Sequence, residues 1–507
     1  MRTTWKSLFV IAALLAGVHA AAHATVLPAP ATTQAASIDW REGDVDDAFT
    51  EARETGKPVM LYWGARWCPP CNQLKQTLFK DPVFIAQTRN FIAVHLDGDD
   101  KNAQSWGDVF GIAGYPTVII LRPDRSEITR LSGDAAATSL AQVLRLTATR
   151  TSSTEDLLQR AGTPQNLSKD DWLLLENFDW TDDPKHFADP AKASALLKIL
   201  AAAAPTPALR RQFALTSLAL DTNYGAVKLS AVQQVSVPQL LTPLLENPAE
   251  VTQNRDILSL AGAPLILGVT DVKQRRRLTT ALIAALDQIA LNNQLPLDDR
   301  LSTVGADIAF SKAANNGKVT QAVLAKVRAR VAMVDKLATN PMLRQSVMPD
   351  AGDYLDQAGD HEAAQKLLEA ELPHAIAPYY FMADLAEMAE AQHDPTAALT
   401  WARAAAATAQ GPATKVQWAI MYSDFVLRLQ PQDGAAVAQS AQAVIAAFDQ
   451  QSSSYAGRTK KKFIAWQNRL HAWSKVNQGG AVLQNLNATL AKACGTQITQ
   501  ACAVKFI

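Results

Sequence analysis

Cys68 and Cys71 lie three positions apart in Trp67-Cys68-Pro69-Pro70-Cys71, and that spacing at the start of a helix makes a redox couple. The loop between them is too short to staple a fold usefully, but the pair is well placed to exchange a disulfide with another molecule. Cys68 falls at the predicted helix N-terminus, where unpaired amides and the helix dipole favour thiolate over thiol. A free thiol titrates near about 8.5, and such a position lowers the value to roughly 3.5–7.5, so a nucleophile exists at neutral pH. Cys71, one turn in, is shielded and placed to resolve a mixed disulfide formed on Cys68. Pro69 and Pro70 stiffen the turn and remove backbone donors, and so tune the redox potential in a direction the sequence leaves open.

The elements around the pair must hold it. An apolar, aromatic run of strand length, residues 58–63, precedes it, and an amphipathic stretch, 72–79, follows. Along the chain we read a capped helix at 44–55, a strand at 59–63, a helix at 71–79, a strand at 91–96 and a helix at 103–110. A strand at 117–121, a partner strand at 128–131 after a Pro-Asp-Arg-Ser turn, and a helix at 135–147 complete a compact α/β sandwich.

The segment Tyr62-Trp63-Gly64-Ala65-Arg66-Trp67-Cys68-Pro69-Pro70-Cys71 resembles the active-site segment of thioredoxin-fold proteins, and Gly114-Tyr115-Pro116-Thr117 resembles their cis-proline loop. The continuation Lys75-Gln76-Thr77-Leu78-Phe79-Lys80-Asp81-Pro82-Val83 is similar to the C-terminal thioredoxin domain of periplasmic thiol:disulfide interchange proteins. The resemblance covers residues 38–148, under a quarter of the 507-residue chain. It implies an attacking Cys68, a resolving Cys71, and a substrate-binding face made of Trp67, Tyr115, Pro116 and Thr117, with Gly133 keeping the groove open. It also implies protein disulfides as substrates, a thiol electron partner in the periplasm or membrane, and a lean towards reduction. The family's buried carboxylate, six positions before the first cysteine, is replaced by Tyr62, and its buried lysine by Ala93. A slower, partner-dedicated exchanger follows from that departure.

The first residues read as a secretory signal, 1–24: Arg2 and Lys6, then eleven apolar residues from Leu8 to Val18, then the small-x-small site Ala22-His23-Ala24. Residues 25–37 read as an unstructured leader. The expected product is exported to the periplasm, with no stable membrane insertion. The 48 basic and 48 acidic residues balance, and removing Arg2 and Lys6 with the signal leaves a net charge of −2. That balance gives no electrostatic reason to expect nucleic acid as a partner. The basic runs at 275–277 and 460–462 read as solvated helix faces. No nucleotide fingerprint stands out, and none of the six histidines remaining after export falls at ligand spacing with the cysteines, so neither a cofactor nor a metal is expected.

A Thr/Ser-rich stretch at 147–154 marks a boundary. Beyond it strand signals vanish, and Ala/Leu/Gln-rich helical segments are expected to break at prolines that include Pro238, Pro243, Pro264 and Pro349. Ser168-Lys169-Asp170-Asp171 is a helix-capping signature. Gly359-Asp360-His361 recurs as His393-Asp394-Pro395, with Asp360 and Asp394 34 residues apart, the period of tetratricopeptide repeats. The expected architecture is therefore a thioredoxin fold followed by a large all-α array over 155–507, tetratricopeptide-like around 352–410. Cys494 and Cys502 would lie roughly 12 Å apart on a straight helix, so a structural disulfide between them needs a break at Gly495. The function that follows is thiol-disulfide exchange with a helical partner-binding domain; the alternative is a binding scaffold whose thioredoxin-like part serves as a docking module.

Overall fold

The computed structural model of the chain describes residues 37–449 and 457–494. The expected signal segment, the leader before Ser37, and Cys502 lie outside the described residues, as does any Cys494–Cys502 bridge. The first elements are β1 (Trp40–Glu42), α1 (Val45–Thr55), β2 (Val59–Gly64), α2 (Pro69–Gln76), α3 (Pro82–Thr88), β3 (Ile92–Asp97), α4 (Lys101–Phe110), β4 (Thr117–Leu121), β5 (Glu127–Ser132) and α5 (Gly133–Thr147). The sheet order is β1-β3-β2-β4-β5, with β1, β3 and β2 parallel and β4 and β5 antiparallel to their neighbours.

β2 is central and buried along its whole length, as the unbroken apolar run predicts. Strand alternation sends Met60 and Tyr62 to one face, where they pack with Leu74, Phe84 and Leu144 of α2, α3 and α5. Leu61 and Trp63 go to the other face, against Phe49 and Ala52 of α1 and Phe110 of α4. The helix expected at 71–79 instead starts at Pro69, since proline is preorganised for the first helical turn, and stops at Gln76 before a short 3-10 turn. Two elements were not expected. β1 is only three half-buried or exposed residues, and α3 is started by Asp81, whose carboxylate accepts from Val83 N and Phe84 N ahead of Pro82.

Helices α6 (Thr154–Ala161) to α24 (Gly480–Cys494) follow, without strands among the described residues. Ser168 and Asp171 form the expected capping box. Asp360 and Asp394 each precede a helix, α18 (His361–Glu371) and α20 (Pro395–Thr408). The residues before them, Gly359 and His393, both adopt positive φ, 85° and 61°. These are equivalent turns, and each joins a helix to the one it packs against: α17 (Pro341–Gln357) to α18 and α19 (Pro378–Ala391) to α20.

Four prolines expected to break helices do not: Pro238 and Pro243 lie inside α10 (Ala231–Leu245), Pro264 inside α12 (Arg255–Leu267) and Pro349 inside α17. An interior proline costs about 3 kcal/mol, and burial offsets it: Val237, Leu241, Leu244 and Leu245 of α10 are all buried. Gly225, at φ +87°, approaches Pro264 so closely that a Cβ there would sit 2.2 Å from the ring. The basic run at 460–462 is also less solvated than expected. Of these three lysines, all on α23 (Gly457–Val476), only Lys461 is exposed, and burial pushes the Lys462 amine down to about 8.

The polar stretch after α5 is not a free linker. Residues 37 onward form one compact unit, and the sheet is tied to the helices by buried charge. Arg130 on β5, 2 % exposed, makes two 2.7 Å hydrogen bonds to Glu127, which also accepts from Lys185 at 2.6 Å. Beside it Asp179 accepts from Ser132 N. Among the described residues no helix is long and apolar enough to cross a membrane.

Candidate functional site

Cys68 is the N-cap of α2 and is joined to Cys71 by a disulfide, with Cα atoms 5.3 Å apart. Pro69 and Pro70 occupy the first two helical positions, so two of the amides that a helix start normally leaves unpaired are absent. The first remaining amide, that of Cys71, donates to Cys68 Sγ at 3.2 Å. The helix N-terminus thus offers this sulfur one backbone donor.

The peptide bond between Tyr115 and Pro116 is cis. Pro116 O accepts from Gly133 N at 2.9 Å, and Thr117, buried on β4, donates from Oγ1 to Gly114 O. Tyr115 lies 6.2 Å from the Trp67 ring, and burial pushes its hydroxyl up to about 12. The structure therefore brings Trp67, Cys68, Cys71 and Tyr115 together, with Pro116 and Thr117 continuing from the same loop.

The phenol of Tyr62 is buried and its oxygen has no hydrogen-bond partner among the described residues. Burial first, and the charge of Asp97 second, push its pKa well up, so it stays neutral. Ala93 is buried beside Met60 on the paired strand and carries no charge.

The helical array closes over this face. Cys68 is 1 % and Cys71 0 % exposed, and both pack with Ala377, Tyr379, Ala405, Ala409 and Trp418. Tyr380, on α19, stacks on Trp67 with ring centroids 6.0 Å apart, and Trp418, on α21 (Pro412–Leu429), lies 5.6 Å away. Trp67 Nε1 donates to Thr414 Oγ1 at 2.9 Å. Thr414 in turn donates from N and from Oγ1 to the Asp99 carboxylate, at 2.8 and 3.0 Å. Burial pushes that carboxyl up to about 6, against the pull of both hydrogen bonds. Arg458 of α23 sits over the rings of Trp67 and Tyr115, at 5.2 and 5.7 Å. Tyr380, Thr414, Trp418 and Arg458 were not expected from sequence. They lie more than 300 positions from Trp67, and only the aromatic clustering at 379–380 beside a helix-starting proline hinted at a packed face.

Among the described residues no group of three or more His, Cys, Asp or Glu side chains is placed to hold a metal.

The five-stranded sheet, the helix-capping disulfide and the cis-proline loop define a thioredoxin-like unit, and residues 39–123 match the family model described as Thioredoxin-like. Within that unit the chain is 33 % identical over 110 residues to thiol:disulfide interchange protein DsbD 1 of Pseudomonas aeruginosa, covering 21 % of this chain and 19 % of the relative. It is 31 % identical over 100 residues to thiol:disulfide interchange protein DsbD of Yersinia pestis, covering 19 % and 17 %. It is 29 % identical over 91 residues to a thioredoxin H-type protein of Oryza sativa subsp. indica, covering 18 % and 69 %. The chain thus spans under a fifth of the length of the interchange proteins it matches.

Proposed function

We propose that the protein is an exported thiol-disulfide oxidoreductase of the periplasm, acting on disulfides of protein clients in the reducing direction. The observation that carries this reading is the Cys68–Cys71 disulfide at the start of α2, beside the cis-proline loop. In the reduced protein, Cys68 thiolate attacks a client disulfide, forming a mixed disulfide and expelling one client thiolate. Cys71 thiolate then attacks Cys68 Sγ, which releases the second client thiol and leaves the protein oxidised. Two electrons from a thiol partner, in the periplasm or membrane, restore the dithiol. Trp67, Tyr115, Pro116 and Thr117 form the face that receives the client, and Pro69 and Pro70 set the potential.

The test is dithiothreitol-driven reduction of insulin. The wild type accelerates it, Cys68→Ser abolishes the acceleration, and Cys71→Ser accumulates the mixed disulfide. A reduction potential near or below about −230 mV, measured with Cys494 and Cys502 replaced by Ala, supports the reducing direction; a value near about −120 mV overturns it.

The scaffold reading is favoured by one observation, the burial of both sulfurs under the helical array. A folded Cys68→Ser, Cys71→Ser double variant that complements a deletion strain would establish it and remove the redox reading.

A further inference from the structure

The face assigned above to the client is occupied by another part of the same chain. Trp67 has its ring stacked on Tyr380 of α19, with 17° between the planes, and its indole N–H is taken by Thr414 of α21. Arg458 of α23 lies over both Trp67 and Tyr115. Two glycines let the covering helices come this close. Gly411, just before α21, has φ +95°, and a Cβ there would overlap the Asp99 carboxylate that accepts from Thr414. Gly457, the first residue of α23, has φ +52°, and a Cβ there would sit 2.8 Å from Gln104 O. Gln104 in turn donates from Nε2 to the Tyr115 hydroxyl at 2.9 Å. At both glycines a side chain would push the cover off the thioredoxin-like unit. The array also grips that unit elsewhere, through Lys185 on Glu127, Asp179 on Ser132 and Asp298 on Gln73. The contacts of α19, α21 and α23 can therefore release while the array stays attached.

We propose that α19, α21 and α23 form an autoinhibitory cover, and that a client reaches Cys68 only by displacing them from Trp67 and Tyr115. The proposal rests on the oxidoreductase reading and adds a resting state to it. Cover and client use the same two rings and the same indole N–H, so their binding is mutually exclusive. Only the uncovered fraction of the protein exchanges disulfides, and the observed rate scales with that fraction. A change that weakens the cover without touching the dithiol therefore speeds exchange.

The experiment compares full-length proteins, all with Cys494 and Cys502 replaced by Ala. One readout is the rate at which dithiothreitol reduces Cys68–Cys71, followed by alkylation of the released thiols. The other is insulin reduction. Gly411→Ala and Tyr380→Ala should each raise the first rate about tenfold, or about 1.4 kcal/mol, and raise insulin turnover with it. Gly359→Ala is the control: it also places a side chain at positive φ, +85°, but its Cβ meets nothing within 4 Å. Its rates should equal those of the parent. Should Gly411→Ala fail to fold, by circular dichroism and urea denaturation, Tyr380→Ala decides alone. Equal rates in the parent and the folded cover variants overturn the proposal, as does an equal acceleration in Gly359→Ala. Insulin turnover with no difference among the proteins removes the cover proposal alone. Faster reduction by dithiothreitol with no insulin turnover in any protein removes the oxidoreductase reading and leaves the cover standing.

Discussion

Around the sulfurs, the Pro69–Pro70 pair acts by subtraction. Their missing amides leave Cys71 N as the one backbone donor found on Cys68 Sγ. Pro70→Ala restores an N–H in the first helical turn, which stabilises the thiolate over the thiol. We expect a lower Cys68 thiol pKa and a more oxidising couple, read from the pH dependence of alkylation and from a glutathione titration. An unchanged or higher pKa would show that the prolines act through stiffness alone. On the other side of the disulfide, Thr414 accepts from Trp67 and donates twice to Asp99. Thr414→Val leaves the Trp67 indole unpaired in a buried position and strips Asp99 of one donor, a loss of about 1–3 kcal/mol in urea denaturation. The dithiol and the cis-proline loop were legible in the sequence because each is a local pattern of a few residues. Thr414 was not, since nothing in a chain marks a pairing across 347 positions.

Among the elements, α21 docks on the loop after β3 through one carboxylate whose titration reports on the contact. Asp99 titrates at about 6 in this arrangement, raised mainly by burial with help from Asp97 and Asp100, against about 3.9 in water. Tyr115, Tyr379 and Arg458 are further titratable groups with which it interacts from neighbouring elements. The docked form therefore binds the proton more tightly, so its stability is greatest below about pH 4 and declines as pH rises towards about 6. Asp99→Asn removes this dependence. The difference in Tm between the two proteins should change between pH 4 and 6.5 and stay level above; a level difference throughout would show that Asp99 is solvated. On β5, Arg130 is held by Glu127 and lies 3.7 Å from Asp183. Arg130→Ala leaves those carboxylates buried without it and should destabilise the protein by about 3–5 kcal/mol in urea. The central strands were legible because buried strands are unbroken apolar runs. β1 was too short to show a period, and the interior prolines were misread because burial, not local propensity, decides whether α10, α12 and α17 continue.

For the whole molecule, the thioredoxin-like unit is a built-in part of a larger body. Gln73–Asp298, Trp67–Thr414, Glu127–Lys185 and Ser132–Asp179 each join it to the helical array. That an α-helical array follows was legible from composition and capping signals. How it wraps back over the dithiol was not, because the covering residues are ordinary alanines and aromatics of helical cores. The cover has a kinetic consequence. A disulfide with no exposed sulfur meets a thiol only during a local opening, so its reduction follows the same formalism as amide exchange from a folded protein. At low thiol concentration the rate should rise linearly with reductant. At high concentration it should level off at the opening rate, and that ceiling should be the same for dithiothreitol, glutathione or a protein thiol, whatever their intrinsic reactivities.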